Sequence, residues 1–412
     1  MDVCSQERKP LLSLAAALSN ISAAIQPVNG SETITLKDAL GRVLSAAIHS
    51  PINIPYDRNA AMDGYACAGK ELNGQPVTLT LAGTSWAGRP FQDALQAGQC
   101  VRIFTGAVVP DGADTVIMQE QVQVDGETIQ FPANLKPQQN VRAVGEDVGQ
   151  GQALCAHPKK LTAVDLGLLA SAGIADVPVK RQLKIAFFST GDELAALGEP
   201  LAAGKLYDSN RYLLNGLLAD PCHAVADGGV VADDPKQLED TLRAAAEKHD
   251  VLITTGGASV GDADYVQEVL ARCGQVHFWK IAIKPGKPLA FGKIGGCYFF
   301  GLPGNPAAVM ATFQQLVAPA LRQLSGAPAA HPLRLAATCT TALKKSPGRL
   351  EFQRGNLSQN ADGELIVASA GNQGSHVLSS LSQANCFIVL PSECAGINPG
   401  ERVIVEPFST WL

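Results

Sequence analysis

Lys280, Lys284 and Lys287 crowd one short stretch, Trp279-Lys280-Ile281-Ala282-Ile283-Lys284-Pro285-Gly286-Lys287-Pro288. Proline fixes φ and glycine permits a left-handed turn, so the turn keeps the ammonium groups near one another. Like charges held together repel unless an anion sits between them, and a phosphate or other tetrahedral oxyanion would suit. A solvated basic turn is the bland alternative. Three glycine-rich or polar loops point the same way: Ser189-Thr190-Gly191-Asp192-Glu193, the 256–264 loop beginning Gly256-Gly257-Ala258-Ser259, and Leu302-Pro303-Gly304-Asn305-Pro306. Glycine lets backbone N–H groups approach a phosphate, and a helix N-terminus adds partial positive charge. The same glycines could simply make tight strand-to-helix turns. Glu193, Asp233 and Asp264 each follow a candidate strand, so they could converge on one Mg²⁺ or stand as solvated turn residues. Asp234, directly before Pro235, reads as a helix cap.

Competing chemistries fit less well. Gly257-Ala258-Ser259-Val260-Gly261 matches the nucleophile-elbow pattern, with Asp362 and His376 downstream in the order of a hydrolase triad, but both lie in the terminal module. The chain has neither G-x-G-x-x-G nor a P-loop consensus, and its 7 histidines show no metal-ligand spacing.

The elements that must position these residues change texture along the chain. An amphipathic helix is expected over 11–25, then a strand at 33–36 and a short helix. From Pro51 to Asp147 the pattern turns to β, with runs at 77–81, 100–104, 115–124 and 128–131. A helix at 161–172 should pack back on the first one, making the β stretch an insertion in a discontinuous domain. From Leu183 strands and helices alternate: strands at 184–189, 223–231, 251–255 and 298–301, helices at 212–218, 235–248, 264–272 and 306–324. This predicts an α/β domain with a mostly parallel sheet, whose ligands bind at the carboxyl ends of the strands. After Pro328 and Pro332, runs at 333–341, 350–354, 364–368, 386–390 and 402–406 predict a β barrel or sandwich. The expected domains are 1–50 with 148–180, an inserted 51–147, 181–328, and 329–412.

Bulk composition narrows the function. With 412 residues, 46% hydrophobic and 17% charged, the chain can bury several cores and is not a disordered polymer. Lys plus Arg total 32 and Asp plus Glu 38, a net charge of −6, which disfavours a nucleic-acid partner. The 10 cysteines are scattered without C-x-x-C, as suits a reducing cytoplasm. Arg8 and Lys9 before Leu11–Leu18 imitate a secretory leader, but Asp2 and Glu7 offset them. No apolar run approaches the ~20 residues that cross a bilayer.

At this point the sequence resembles a known family. Ala61-Met62-Asp63-Gly64-Tyr65-Ala66, Arg102-Ile103-Phe104-Thr105-Gly106-Ala107, Gly145-Glu146-Asp147, Ser189–Glu193, Tyr207-Asp208-Ser209-Asn210-Arg211, the 256–264 loop, Lys284–Pro288, Leu302–Pro306 and Gly348-Arg349-Leu350-Glu351-Phe352 occur in the order seen in molybdopterin molybdenumtransferases. These molybdenum insertases include the insertase domain of gephyrin. The resemblance implies four subdomains and an elongated homodimer, with each site between the third domain of one subunit and the second domain of the other. It implies a reaction of adenylylated molybdopterin with molybdate that cleaves the phosphoanhydride, releases AMP and leaves molybdenum on the dithiolene. By resemblance, Glu193, Asp233 and Asp264 hold Mg²⁺ and the pterin phosphate. Lys280 and Lys284 contact phosphate and substrate. Lys284, Lys287, Pro288 and Arg349 are candidates for molybdate. Gly256, Gly257, Ser259, Pro303, Gly304, Asn305 and Pro306 form the binding loops, and Asp63, Thr105, Arg142 and Asp147 complete the site from the partner subunit. A molybdopterin adenylyltransferase and downstream molybdoenzymes or carriers are the implied partners. An adenylyltransferase activity or a non-catalytic pterin-binding scaffold are the alternatives. Two departures stand out: Ala308 where a serine is common, and Ala143-Val144 where relatives can carry arginines.

Overall fold

The computed structural model describes residues 11–256 and 265–408. Within them the apolar side chains collect into separate cores. The largest element is a six-stranded sheet in the spatial order 223–231, 183–190, 251–255, 297–302, 288–294, 275–280. The first four strands run parallel, and the last two add antiparallel at one edge. Leu183–Thr190 and Val251–Thr255 are buried almost throughout, as central strands covered on both faces require. Helices Pro235–Ala246 and Tyr265–Cys273 cover one face. The run 306–324 covers the other, with a π-helical stretch at Phe313–Val317 between two α segments. Asp234 caps its helix, accepting from the Gln237 N–H at 2.6 Å with Pro235 in the first turn.

The first helix, Leu14–Ala24, does not pack on the later helix Ala163–Ser171. Its buried Ala17 and Ile21 join the core of the α/β sheet against Phe313, Leu316 and Leu321. Leu12 donates to the Lys280 carbonyl at 2.8 Å and fixes the segment there. Helix Ala163–Ser171 instead closes a small core with Ala39, Leu44, Ile48, Leu154, Val177 and Val179. Two antiparallel strand pairs, 31–35 with 176–180 and 48–49 with 153–155, tie the two chain segments of that core together.

Between those segments lies a six-stranded β unit in the order 115–118, 64–67, 99–103, 77–85, 128–131, 123–125. The run expected over 115–124 breaks at a 3-10 turn, Gln119–Gln121, into two short strands on opposite edges. The C-terminal strands 335–339, 350–359, 365–369, 386–390 and 402–407 close into a barrel, because Leu350–Gln359 pairs with both Leu365–Ser369 and Cys386–Leu390. The barrel and the α/β unit share a core, with Phe352, Leu381, Phe387 and Val389 among the sheet's residues. Their joint is also a strand pair: Ile283–Lys284 runs parallel to Leu350–Glu351.

Candidate active site

The carboxyl ends of three parallel strands open onto a cleft of about 1140 Å³ whose opposite wall is the barrel. The strand Leu183–Thr190 delivers Glu193 to it, Val251–Thr255 delivers Gly256, and Cys297–Leu302 delivers Pro303, Gly304, Asn305 and Pro306. Lys284, Gly286, Lys287 and Pro288 line it from the edge of the sheet, and Arg349 from the barrel. This is the position at which open α/β sheets bind ligands.

Two glycines are demanded by the geometry. Gly256 sits at φ +84°, and a Cβ there would lie 2.6 Å from the Thr190 carbonyl oxygen. Gly286 sits at φ +106°, where a Cβ would come within 2.5 Å of the Thr312 hydroxyl. Larger residues would push both loops away from the cleft.

The charges in the cleft are sorted by wall. Lys284 and Lys287 are exposed side by side, so the basic turn faces the cleft. The Arg349 guanidinium donates to the Ile283 carbonyl at 3.3 Å, which brings a third cation to the same turn. Glu193 is exposed, its carboxylate folded over Gly191, while its own carbonyl accepts from the Leu206 N–H at 2.9 Å. Asp233 lies on the adjoining loop, outside the cleft lining. Its carboxylate accepts from the Asp192 N–H at 3.4 Å, and its N–H donates to the Asp192 carboxylate at 3.1 Å. Lys280 is exposed and does not line the cleft; its backbone carbonyl anchors Leu12. Gly257, Ser259 and Asp264, and with them the whole elbow motif, lie outside the described residues. Of its proposed partners, Asp362 sits in an exposed hairpin turn and His376 at the cleft.

Several cleft residues were not singled out from sequence. Asp208 and Asn210 belong to the Tyr207–Arg211 motif. Asp208 caps the helix Ser209–Leu217 through the Arg211 N–H at 3.0 Å, and Asn210 donates to the Gly304 carbonyl at 2.7 Å. Each also keeps one buried side-chain oxygen without a hydrogen-bond partner, Asp208 Oδ2 and Asn210 Oδ1. Glu351 was readable as part of Gly348–Phe352. In the barrel loop 372–376 only His376 was singled out, and for a hydrolase triad rather than for this cleft. The loop is held by the fully buried Arg354, whose guanidinium donates to the Asn372 carbonyl at 2.7 Å and the Gly374 carbonyl at 3.0 Å. Burial pulls the Arg354 pKa down. Ala308 is buried against the cleft, so no side-chain hydroxyl reaches the ligand space from there.

None of Asp63, Thr105, Arg142 and Asp147 lines this cleft. They form a second constellation on the inserted β unit. Asp63 Oδ1 accepts from the Thr105 N–H and from its hydroxyl, each at 2.8 Å. These bonds, the backbone one foremost, hold the Asp63 carboxyl below its ordinary pKa although it is open to solvent. Arg142 pairs with Asn59 on a short two-stranded ribbon, and Asp147 follows the turn at Gly145; both side chains are exposed. Beside them a stack of Trp86 on Phe104, with centroids 4.2 Å apart, continues into the Arg102 guanidinium.

An α/β unit with an anion-suited cleft, walled by a C-terminal barrel and joined to an inserted β unit, defines the class: a multidomain phosphate- or oxyanion-handling protein. Comparison with known proteins makes this specific. Residues 12–173 match the family profile "MoeA N-terminal region (domain I and II)", 186–323 match "Probable molybdopterin binding domain", and 336–408 match "MoeA C-terminal region (domain IV)". The chain is 45% identical over 404 residues to the molybdopterin molybdenumtransferase of Haemophilus influenzae, covering 98% of this chain and 100% of that protein. It is 31% identical to the gephyrin of Dictyostelium discoideum, across 91% of this chain and 59% of gephyrin. The crystal structure of the molybdopterin biosynthesis moeA protein from Pyrococcus horikoshii superimposes with a TM-score of 0.84 at 29% identity, over 97% of this chain and all of that one. The chain belongs to the molybdopterin molybdenumtransferase (MoeA) family.

Proposed function

We propose that this protein is a molybdenum insertase: it takes molybdate and adenylylated molybdopterin, cleaves the phosphoanhydride, releases AMP and leaves molybdenum on the dithiolene. The observation that carries this reading is the cleft itself. Lys284, Lys287 and Arg349 converge on one turn, from the sheet edge and from the barrel, at the place where an α/β sheet binds phosphate. Molybdate is a tetrahedral dianion and the nucleotide-linked pterin carries a pyrophosphate, so both need clustered cations in a partly enclosed site. The cleft is large enough for a nucleotide-sized ligand.

Mg²⁺ belongs to this reading. Among the described residues no group of three or more carboxylate, histidine or cysteine ligands meets. Glu193 and Asp233 supply hard oxygen donors on adjoining loops, which fits an ion that keeps waters and shares substrate phosphate oxygens. Glu193, Asp233 and Asp264 would hold it, and when bound it would offset charge on the departing phosphate. Lys284, Lys287, Pro288 and Arg349 orient molybdate; Gly256, Gly257, Ser259 and the Pro303–Pro306 loop bind phosphate and pterin; Lys280 contributes positive potential from outside the cleft.

The site is completed across a homodimer, with Asp63, Thr105, Arg142 and Asp147 supplied by the partner. Their exposure and distance from the cleft lining support this arrangement. We divide the chain into 1–50 with 148–180, 51–147, 181–328 and 329–412, with the first helix belonging by packing to the third unit. A cytoplasmic setting, in contact with an adenylyltransferase and with acceptor molybdoenzymes or carriers, follows from the same reading. No helix among the described residues is long and apolar enough to cross a membrane. Purified protein incubated with adenylylated molybdopterin, Mg²⁺ and molybdate tests the function. Molybdate-dependent AMP release with molybdenum bound to the pterin is expected; pterin binding without AMP release overturns the assignment.

A further inference from the structure

Glu351 is an anomaly on the barrel wall. It is only 4% exposed, yet it carries a carboxylate. Its Oε1 accepts from the Gln353 amide at 3.0 Å and lies 3.1 Å from Lys284 Nζ. Gln353 is itself buried and pinned, its amide donating to the Lys344 carbonyl at 2.9 Å. The acceptor oxygen therefore sits in a rigid frame. Backbone pairing fixes the other end: Lys284 is in register with Glu351, and the Leu350 N–H donates to the Ala282 carbonyl at 3.0 Å.

A buried carboxylate is costly without a counter-charge, and among the described residues the cation in ion-pair contact with this one is Lys284. The pair is one-sided, because the Lys284 side chain stays 48% exposed while that of Glu351 is 6% exposed. An ammonium group has three donors. The ion pair with Glu351 holds one side of it, and Lys284 lines the cleft and stays half exposed. A free lysine must lose rotamer freedom to hold an anion; here the ion pair with Glu351 already restricts it.

We propose that Glu351 is a positioning residue of the cleft: it acts through Lys284, aiming that ammonium at the oxyanion, so that the C-terminal barrel is a working part of the site rather than a neighbouring domain. The proposal deepens the insertase reading and rests on it for the identity of the oxyanion, but not for the coupling between the two side chains.

Two readouts separate these. Competitive acetylation of the folded full-length protein, followed by mass spectrometry, measures Lys284 against Lys287 as internal control. Glu351→Ala should raise the Lys284 labelling ratio by about fivefold or more, and Glu351→Gln, which keeps the shape and an acceptor oxygen, by less. Molybdate titration of the same proteins should show about tenfold weaker binding in Glu351→Ala, partial rescue in Glu351→Gln, and no further loss when Glu351→Ala is added to Lys284→Met. An unchanged labelling ratio in both variants overturns the proposal, as does an equal molybdate penalty with and without Lys284. If labelling responds but wild-type protein takes up no molybdate, the insertase reading fails and the coupling stands. Should Glu351→Ala not fold, the isosteric Glu351→Gln alone decides through both readouts.

Discussion

The two constellations that carry motif character are built in opposite ways. In the α/β cleft the charged groups are framed: Lys284 by a buried carboxylate, Arg349 by the Ile283 carbonyl, and the loop 372–376 by a buried arginine. On the inserted β unit, Asp63 and Thr105 bond each other and face solvent, outside the lining of the cleft. The cleft is a preorganised half that lacks nothing in cations. The exposed pair is a preformed edge that stands apart from the cleft. A carboxylate held ionised on an open surface has little to do for stability, which points to a surface that meets it.

The largest effect should come from the framed half. Lys284→Ala removes a cation that the cleft cannot replace, and we expect molybdate-dependent AMP release to fall by at least ~100-fold, with a lowered melting temperature because the buried Glu351 loses its counter-charge. A fall below tenfold would make the two constellations equal contributors. Gly286→Ala sharpens the same contrast through stability. The added Cβ must take φ +106° and meet the Thr312 hydroxyl at 2.5 Å, which should cost about 1–3 kcal/mol in denaturant unfolding. Gly106→Ala, on the exposed side, also has positive φ but meets nothing within 4 Å, and should cost less.

Cysteine chemistry gives a smaller, pH-dependent effect away from both sites. Burial pushes the thiols of Cys67, Cys100, Cys297 and Cys386 up to about 12, from 9.0 when free. Their native pKa is raised, so the contribution to stability is whole below pH 9 and is lost as pH rises toward 12. Unfolding free energy should fall across that window, and these four thiols should resist iodoacetamide in native protein at pH 8. The smallest effect belongs to the exposed edge. In stability, Asp63→Asn should leave the unfolding midpoint nearly unchanged, while abolishing most turnover. A large stability loss would make the Asp63–Thr105 pair a structural brace.

Much of this architecture was readable from hydropathy and punctuation. The buried strand 251–255 and the barrel strand 386–390 stand where their β-branched and aromatic runs place them. Asp234-Pro235 announced its helix cap. What escaped was non-local. The antiparallel edge strands 275–280 and 288–294 flank the lysine turn and were hidden by its charges and prolines. The first helix has an apolar face that cannot name its partner, and it chose the larger core of the α/β sheet. At the site, Lys284, Lys287 and the Pro303–Pro306 loop stand at the cleft where local spacing pointed, whereas Lys280 lies outside its lining. Glu351 was legible only as a motif letter, because its role is set by a register between strands far apart in sequence. Loop 372–376 is held at the cleft by contacts far apart in sequence, from Arg354 and from the Ala307 N–H, and offered only His376 to a local reading.

The central claim is that the cleft of one subunit is completed by the exposed edge of another, and mixed dimers test it directly. Lys284→Ala disables the cleft of its own chain, and Asp63→Asn disables the edge of its own chain. Co-expressed or refolded together, the two inactive proteins should regain about one quarter of wild-type AMP release, since half the dimers would hold one intact composite site. A mixture that forms heterodimers yet stays inactive would contradict the account and place both halves of the site in the same chain.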